Sequence, residues 1–413
     1  MLYRVIRSLL VAAYVFFATT FLAFALLELY PSLLHRINLG GIGYYAMLAQ
    51  YVPDPTLVFV RRNVGPVVEY DFKGDMSAES ESPSIHYVAT YTPEGFRTSS
   101  STPPYDVVLM GDSYLEIGES DGDTLSERLK AASGLATLNL GTGWYGPYQY
   151  LELFKRYGLA SGAKVALLCF FDGNDIEDVR QYAKWLNGGD YYHYVVSRRT
   201  LLHRYLGVLE ELISPVRKGI RNLFGRKRAA APGQSGVSRE GLLSKGVDIR
   251  LDEDVVRMWF TYWNKRVTTD QLLPSDEWQR LRKVLADFKA VADSRGIIPM
   301  VVYIPTKLQT YGRLIGDEAG IEFRNEVAQQ IQFEGNSEQA LRVIARDLQI
   351  DMVDLLPDFQ EHAGRGELLY YPFDTHWNKV GRQVAAEILA RDLAQRLPQS
   401  HRVFNLVPRR PER

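Results

Sequence analysis

Tyr105-Asp-Val-Val-Leu-Met-Gly-Asp-Ser-Tyr-Leu-Glu116 is the stretch on which the reading of this chain turns. Its first half, Tyr105 to Met110, is a short apolar run with β-branched residues, the pattern of a buried strand. Gly111 and Asp112 break that pattern and put Ser113 on the sharp turn beyond the strand's end. A serine so placed is exposed and is a candidate nucleophile. Its hydroxyl does not ionise near neutral pH, so it needs a base to take its proton and N–H donors to hold the oxyanion it would create.

Downstream, apolar runs at 137–140, 164–171, 297–304 and 351–355 alternate with helical patterns at 124–132, 147–159, 175–186, 277–295, 337–349 and 379–397. That alternation predicts a parallel, doubly wound α/β sheet. In such a sheet ligands bind beyond the carboxyl ends of the strands, so segments far apart in sequence converge on one crevice. Four polar clusters stand there: Gly111-Asp-Ser113, Gly141-Thr-Gly143, Asp172-Gly-Asn-Asp175 and, after a loop, Asp374-Thr-His376.

Asp374 and His376, two residues apart, point to the same side of an extended or turn segment. The carboxylate can then fix the tautomer of His376 and stabilise the imidazolium formed when the ring takes a proton from Ser113. The side-chain amide of Asn174 and the backbone N–H groups of Ser113 and Gly143 are candidate oxyanion donors. Asp112 and Asp175 read as turn and cap residues. A second serine, Ser120 in Gly118-Glu-Ser-Asp-Gly122, matches a G-x-S-x-G elbow, but the residues before it make a poor strand.

Residues 8–27 carry no formal charge and are long enough, at about 1.5 Å per residue, to cross the ~30 Å hydrocarbon core of a bilayer. Arg4 and Arg7 precede the run and Glu28 follows it, so the positive-inside rule places the N-terminus in the cytoplasm and the body outside. A cleaved signal peptide is the rival, since Ala23-Phe-Ala25 resembles a cleavage site. Residues 31–104 alternate weakly and read as a β-rich lead-in; 105–400 read as one catalytic domain with an insertion at about 187–273; 401–413 form a tail.

The insertion is aromatic, basic and Gly/Pro-rich. Its basic run (Arg217, Lys218, Arg221, Arg226, Lys227, Arg228) reads as a solvated loop or as a contact for anionic lipid headgroups. Its aromatic residues (Trp185, Tyr191, Tyr192, Tyr194, Trp259, Tyr262, Trp263) pack in a core or stack on sugars.

The whole chain of 413 residues is 46% hydrophobic, ample for a sizeable core, and its net charge of −1 argues against a general affinity for nucleic acid. One cysteine, Cys169, excludes internal disulfides and Cys-rich metal sites; within an apolar run it reads as core. No Walker loop, H-E-x-x-H pair or dinucleotide fingerprint is present, so neither a cofactor nor a metal is expected.

Gly111-Asp-Ser-Tyr114, Asn139-Leu-Gly-Thr-Gly-Trp-Tyr-Gly146, Gly173-Asn-Asp175 and Asp374-Thr-His-Trp-Asn378 resemble blocks I, II, III and V of the SGNH/GDSL hydrolase superfamily, in the family's order. The Asp-Thr-His-Trp form, with Ile304-Pro-Thr-Lys307 and Tyr311, resembles the alginate O-acetyltransferase-like branch. The resemblance implies a flavodoxin-like three-layer α/β/α fold with Ser113 as nucleophile, His376 as base and Asp374 as its partner. It implies oxyanion donors at the Ser113 amide, at Asn174 and at a block II amide, which falls on Gly143 or Trp144. The superfamily more often has Asp-x-x-His and Gly-x-Asn-Asp; this chain has Asp-x-His, and Asp172 replaces the first glycine.

The expectation is a membrane-anchored, outward-facing, serine-dependent O-acyl ester enzyme, a carbohydrate O-acetyltransferase or acetylesterase. Its partners would be an acylated carbohydrate or other ester, the membrane, and a membrane-bound acyl-donor protein. A general GDSL esterase/lipase and a catalytically silent glycan-binding module are the alternatives.

Overall fold

A computed structural model of the chain describes residues 2–29, 51–61, 67–72, 85–189, 191, 202, 205–206, 209, 246–262 and 266–397. The basic run 217–228, the Gly/Pro-rich stretch 229–236, Tyr192, Tyr194, Trp263 and the tail 401–413 lie outside the described residues. The chain groups into two compact units, one of residues 1–64 with 181–235, the other of 65–180 with 236–413.

The first unit contains the N-terminal helix α1 (Leu2–Leu29). Residues Tyr3–Leu26 are long and apolar enough to cross a membrane, with a mean hydropathy of 2.3 over an 18-residue window. The two threonine hydroxyls within the run bond back to their own helix, Thr19 to Val15 O at 2.8 Å and Thr20 to Phe16 O at 2.7 Å, which suits a segment without water. Strands β1 (Tyr51–Asp54) and β2 (Val58–Arg61) form an antiparallel pair. Asp54 Oδ1 closes the turn between them by accepting from Thr56 N and Leu57 N.

The second unit opens with the antiparallel hairpin β3 (Val67–Phe72) and β4 (Ile85–Thr90). There follow β5 (Val107–Met110), α2 (Ser113–Glu116), α3 (Leu125–Ser133), β6 (Thr137–Asn139), α4 (Pro147–Leu153), β7 (Val165–Phe171) and α5 (Asp175–Leu186), whose residues from 181 on group with the first unit. After the hairpin β8 (Val247–Leu251) and β9 (Asp254–Met258) come α6 (Asp276–Asp293), β10 (Ile298–Ile304), α7 (Lys307–Tyr311), α8 (Ile321–Ile331), α9 (Asn336–Asp347), β11 (Asp351–Asp354), α10 (Leu356–Gly364) and α11 (Lys379–Arg396).

Five strands pair in parallel in the order β11-β10-β7-β5-β6. Counted along the chain, this is the flavodoxin-like order 2-1-3-4-5, whose switch point lies between the first and third strands, here β5 and β7. All seven residues of β7 are buried, as a central parallel strand covered on both faces requires. Helices flank the sheet in packed pairs, α3 with α11 and α4 with α6.

The hairpin β8–β9 falls inside the expected insertion, yet Val247, Ile249, Leu251 and Met258 belong to the same hydrophobic core as β5, β7 and β10. The described last part of the segment 187–273 thus contributes to that domain's core.

Candidate active site

Ser113 stands at the carboxyl end of β5, beside the switch point. The Asp112 carboxylate accepts from Tyr114 N at 2.9 Å and so caps the four-residue helix α2, which starts at Ser113. The Ser113 N–H, an orphan donor of that first turn, makes no hydrogen bond among the described residues. Behind α2 the block II loop packs so closely that a β-carbon at Gly141 would lie 2.2 Å from Leu115 Cβ; only glycine fits.

His376 comes from the turn between α10 and α11. Its Nε2 lies 2.7 Å from Ser113 Oγ, and its Nδ1 lies 2.6 Å from Asp374 Oδ1. The same carboxylate oxygen accepts the His376 backbone N–H at 2.8 Å, so the i, i+2 spacing gives a closed loop between the two residues. Asp374 is 1% exposed. With the Nδ1 proton directed to Asp374, Nε2 is left free to accept from the serine hydroxyl. The arrangement can activate a hydroxyl nucleophile without a metal ion.

The turn is held from below. Lys307 in α7 is buried, and its Nζ donates to four backbone carbonyls: Asp374 at 2.5 Å, Tyr371 at 2.7 Å, Trp259 at 3.0 Å and Pro372 at 3.2 Å. Tyr114 OH donates to Thr375 O at 2.7 Å, which joins the serine helix to the histidine turn directly. Asn378 caps α11 through Val380 N at 2.8 Å and fixes where the turn ends.

The expected oxyanion donors fare unequally. Asn174 follows β7 on the far side of the switch point, half-buried, with a buried Oδ1 that has no hydrogen-bond partner among the described residues. The Gly143 loop is near the nucleophile, since a β-carbon there would lie 3.8 Å from Ser113 Cβ. Its N–H, however, is donated to Glu116 Oε2 at 2.5 Å rather than presented to the crevice, a departure from the expectation for Gly143. Glu116 is buried and also accepts from Tyr91 OH at 2.8 Å. Nothing in the sequence signals this, because the partner lies 27 positions away with no periodic relation.

Beneath the nucleophile lie three buried carboxyl groups, Asp112, Asp175 and Asp178. Burial pushes the pKa of Asp112 up to about 6, with the N–H of Tyr114 and the nearby His376 opposing it. Burial raises Asp175 and Asp178 well above the carboxylate range; repulsion from Asp112 adds to both, and repulsion from Asp175 adds to Asp178. Asp175 is thus more than the cap residue it reads as: its two oxygens accept from Tyr150 OH at 2.8 Å and Phe171 N at 3.0 Å.

Ser120 precedes a 3₁₀ turn with no strand leading into it. Of the aromatic residues expected to pack or to stack on sugars, Trp185, Tyr191 and Trp259 are buried, and Tyr262 packs edge-on against Phe171. Cys169 is buried at the centre of β7.

Residues 259–406 match the family described as the SGNH hydrolase-like domain of the acetyltransferase AlgX. The fold is SGNH hydrolase-like. The matched stretch includes Lys307, Asp374 and His376, while Ser113 lies before it. No curated protein matches the chain. Among solved structures, a GDSL-like lipase from Bacteroides thetaiotaomicron aligns at 9% identity over 73% of this chain and 93% of its own, with a TM-score of 0.34. A lipase/acylhydrolase from Enterococcus faecalis aligns at 11% identity over 71% and 97%, with a TM-score of 0.32. The acetyl xylan esterase AlAXEase aligns at 12% identity over 70% and 99%, also at 0.32. At such values these structures add nothing to the assignment, which rests on the family match, the sheet order and the Ser113–His376–Asp374 geometry of the SGNH-like domain.

Proposed function

We propose that this SGNH hydrolase-like protein is a serine-dependent O-acyl ester enzyme acting on carbohydrate, anchored by α1 with its body outside the cytoplasm. The carrying observation is the continuous hydrogen-bonded path from Ser113 Oγ through His376 to Asp374, at 2.7 and 2.6 Å. Ser113 Oγ attacks the acyl carbonyl as His376 Nε2 takes its proton; His376 then gives that proton to the departing alkoxide, leaving an acyl-serine. Water or a sugar hydroxyl, deprotonated by His376, attacks the acyl carbon and restores the serine. The Ser113 amide and Asn174 hold the oxyanion in both halves. Hydrolase and transferase share every step up to the acyl-serine, and the AlgX-type match favours transfer.

A serine-directed fluorophosphonate is the test. It should modify the full-length protein at Ser113, located by peptide mass, and incubation with an acetyl donor should add one acetyl group at the same residue. A folded protein that stays unlabelled at Ser113 would instead be a silent module that keeps the fold and has lost the chemistry.

A further inference from the structure

With Trp185, Tyr191 and Trp259 buried, Trp144 is the large apolar aromatic that the described residues outside α1 leave exposed, at 46%. Its backbone sits at φ +68°, in the left-handed region that a bulky side chain rarely occupies. Hydrogen bonds hold it there from both sides. Gly143 N is bound to Glu116, Glu116 is bound to Tyr91 OH, Thr142 N donates to Gly111 O at 3.1 Å, and Tyr145 O accepts from Tyr150 OH at 3.0 Å. Strain that the surroundings over-determine in this way gathers at ligand clamps. What is clamped here is a solvent-facing indole one residue from the loop position that lies against Ser113.

We propose that Trp144 is the specificity-determining platform of the site, stacking on the sugar ring that bears or receives the acyl group, with Glu116 as its positioning residue. An indole offers a broad apolar face with a polar edge, the complement of a pyranose with a C–H face and a hydroxyl rim. The neighbouring strand end carries half-buried Asn174, and Asp172 whose Oδ2 accepts from Tyr303 OH at 2.9 Å and Gln309 Nε2 at 2.7 Å, polar surroundings that suit a hydroxylated ring better than a hydrocarbon chain. This inference rests on the ester-chemistry reading above and names the residue that would select its substrate.

Trp144→Ala and Trp144→Phe are to be compared with the parent in the full-length protein, using an O-acetylated cello-oligosaccharide, 4-nitrophenyl acetate and 4-nitrophenyl octanoate. The ratio of kcat/KM for the acetylated sugar to that for 4-nitrophenyl acetate should fall about tenfold in the alanine variant, through KM, and recover in part with phenylalanine. Calorimetric titration of the unacetylated oligosaccharide into the Ser113→Ala protein should show binding that Trp144→Ala weakens to the same degree. Equal sugar affinity with and without the indole, or no sugar binding at all, overturns the platform while leaving fluorophosphonate labelling of Ser113 to judge the ester reading separately. A selective loss on the octanoate ester would assign the indole to an acyl chain and overturn the inference as well.

Discussion

His376 Nε2 lies 2.7 Å from Ser113 Oγ although 263 positions separate the two residues in the chain. The parallel sheet makes this contact: β5 delivers the serine at its carboxyl end, and the turn before α11 returns the histidine to the same edge. Ser113→Ala and His376→Ala should each lower turnover at least about 10⁴-fold, and the double variant should be scarcely worse, since such groups act as a unit. Asp374→Asn should cost a similar factor by spoiling the tautomer. Melting temperatures should stay within about 4 °C of the parent for the serine variant. Steady-state kinetics with calorimetry checks all of these, and additive losses in the double variant would sink the unit.

Lys307 is the residue that holds the Asp374 turn in shape. Replacing it with methionine keeps the length of the stem but removes a charged donor that four carbonyls share, at a cost of about 3 kcal/mol or more in unfolding free energy. Because the Asp374 carbonyl is among the four, kcat should fall more than KM rises. Arginine should not rescue it, since a planar fork does not fit a pocket built for a compact ammonium. Urea denaturation beside steady-state kinetics reads both effects, and a Lys307→Met protein of parental stability would contradict this account.

The buried acid beside the nucleophile makes a signed prediction about pH. Asp112 titrates near 6 when folded, above its ordinary range, so between about pH 4 and 6 the folded state holds a proton that the unfolded chain has released. Stability contributed by this group is therefore present below pH 4 and is lost as pH rises toward 6. Asp112→Asn keeps an oxygen to cap Tyr114 and removes the titration. The stability difference, variant minus parent, should grow by up to about 3 kcal/mol across that window and level off above it. Asp123 runs the other way: burial alone would raise it, but Arg382 and Arg128 hold it low, so its stabilising effect fades in acid. The difference curve removes the titrations that the two proteins share, and a flat difference between pH 4 and 6 would refute the assignment.

The sequence shows most plainly those parts of the molecule whose burial leaves a continuous mark. β7 and β10 are near-unbroken apolar runs because both faces are covered, and α5 falls at the expected 175–186. The Asp374–His376 pair is readable because both residues lie in one turn. Three helices escape notice for physical reasons: α7 is five residues long, α10 opens on Leu356-Pro357, and α8 buries only Phe323, Val327 and Gln330. The hairpin β8–β9 does alternate at Val247, Ile249 and Leu251, but it follows a long polar stretch that hides it. Glu116 on Gly143 and the exposed indole of Trp144 depend on the approach of separate loops, which no local pattern records.

The N-terminal helix carries the last prediction. A charge-free run from 8 to 27 with Arg4 and Arg7 ahead of it should insert with its N-terminus in the cytoplasm, because moving those arginines across the bilayer is the costlier choice. The hydroxyls of Thr19 and Thr20, in the middle of the run, bond back to carbonyls of their own helix. An alkaline phosphatase fused after Arg413 should then be active in bacteria, and replacing Arg4 and Arg7 by glutamate should reduce that activity. An inactive phosphatase together with an active cytoplasmic reporter at the same junction would reverse the topology. Sequencing the N-terminus of the membrane-extracted protein separates a retained anchor from a cleaved leader: an anchor keeps residues 1–30, whereas cleavage after Ala25 would begin the mature chain at Leu26 and release the protein from the membrane fraction.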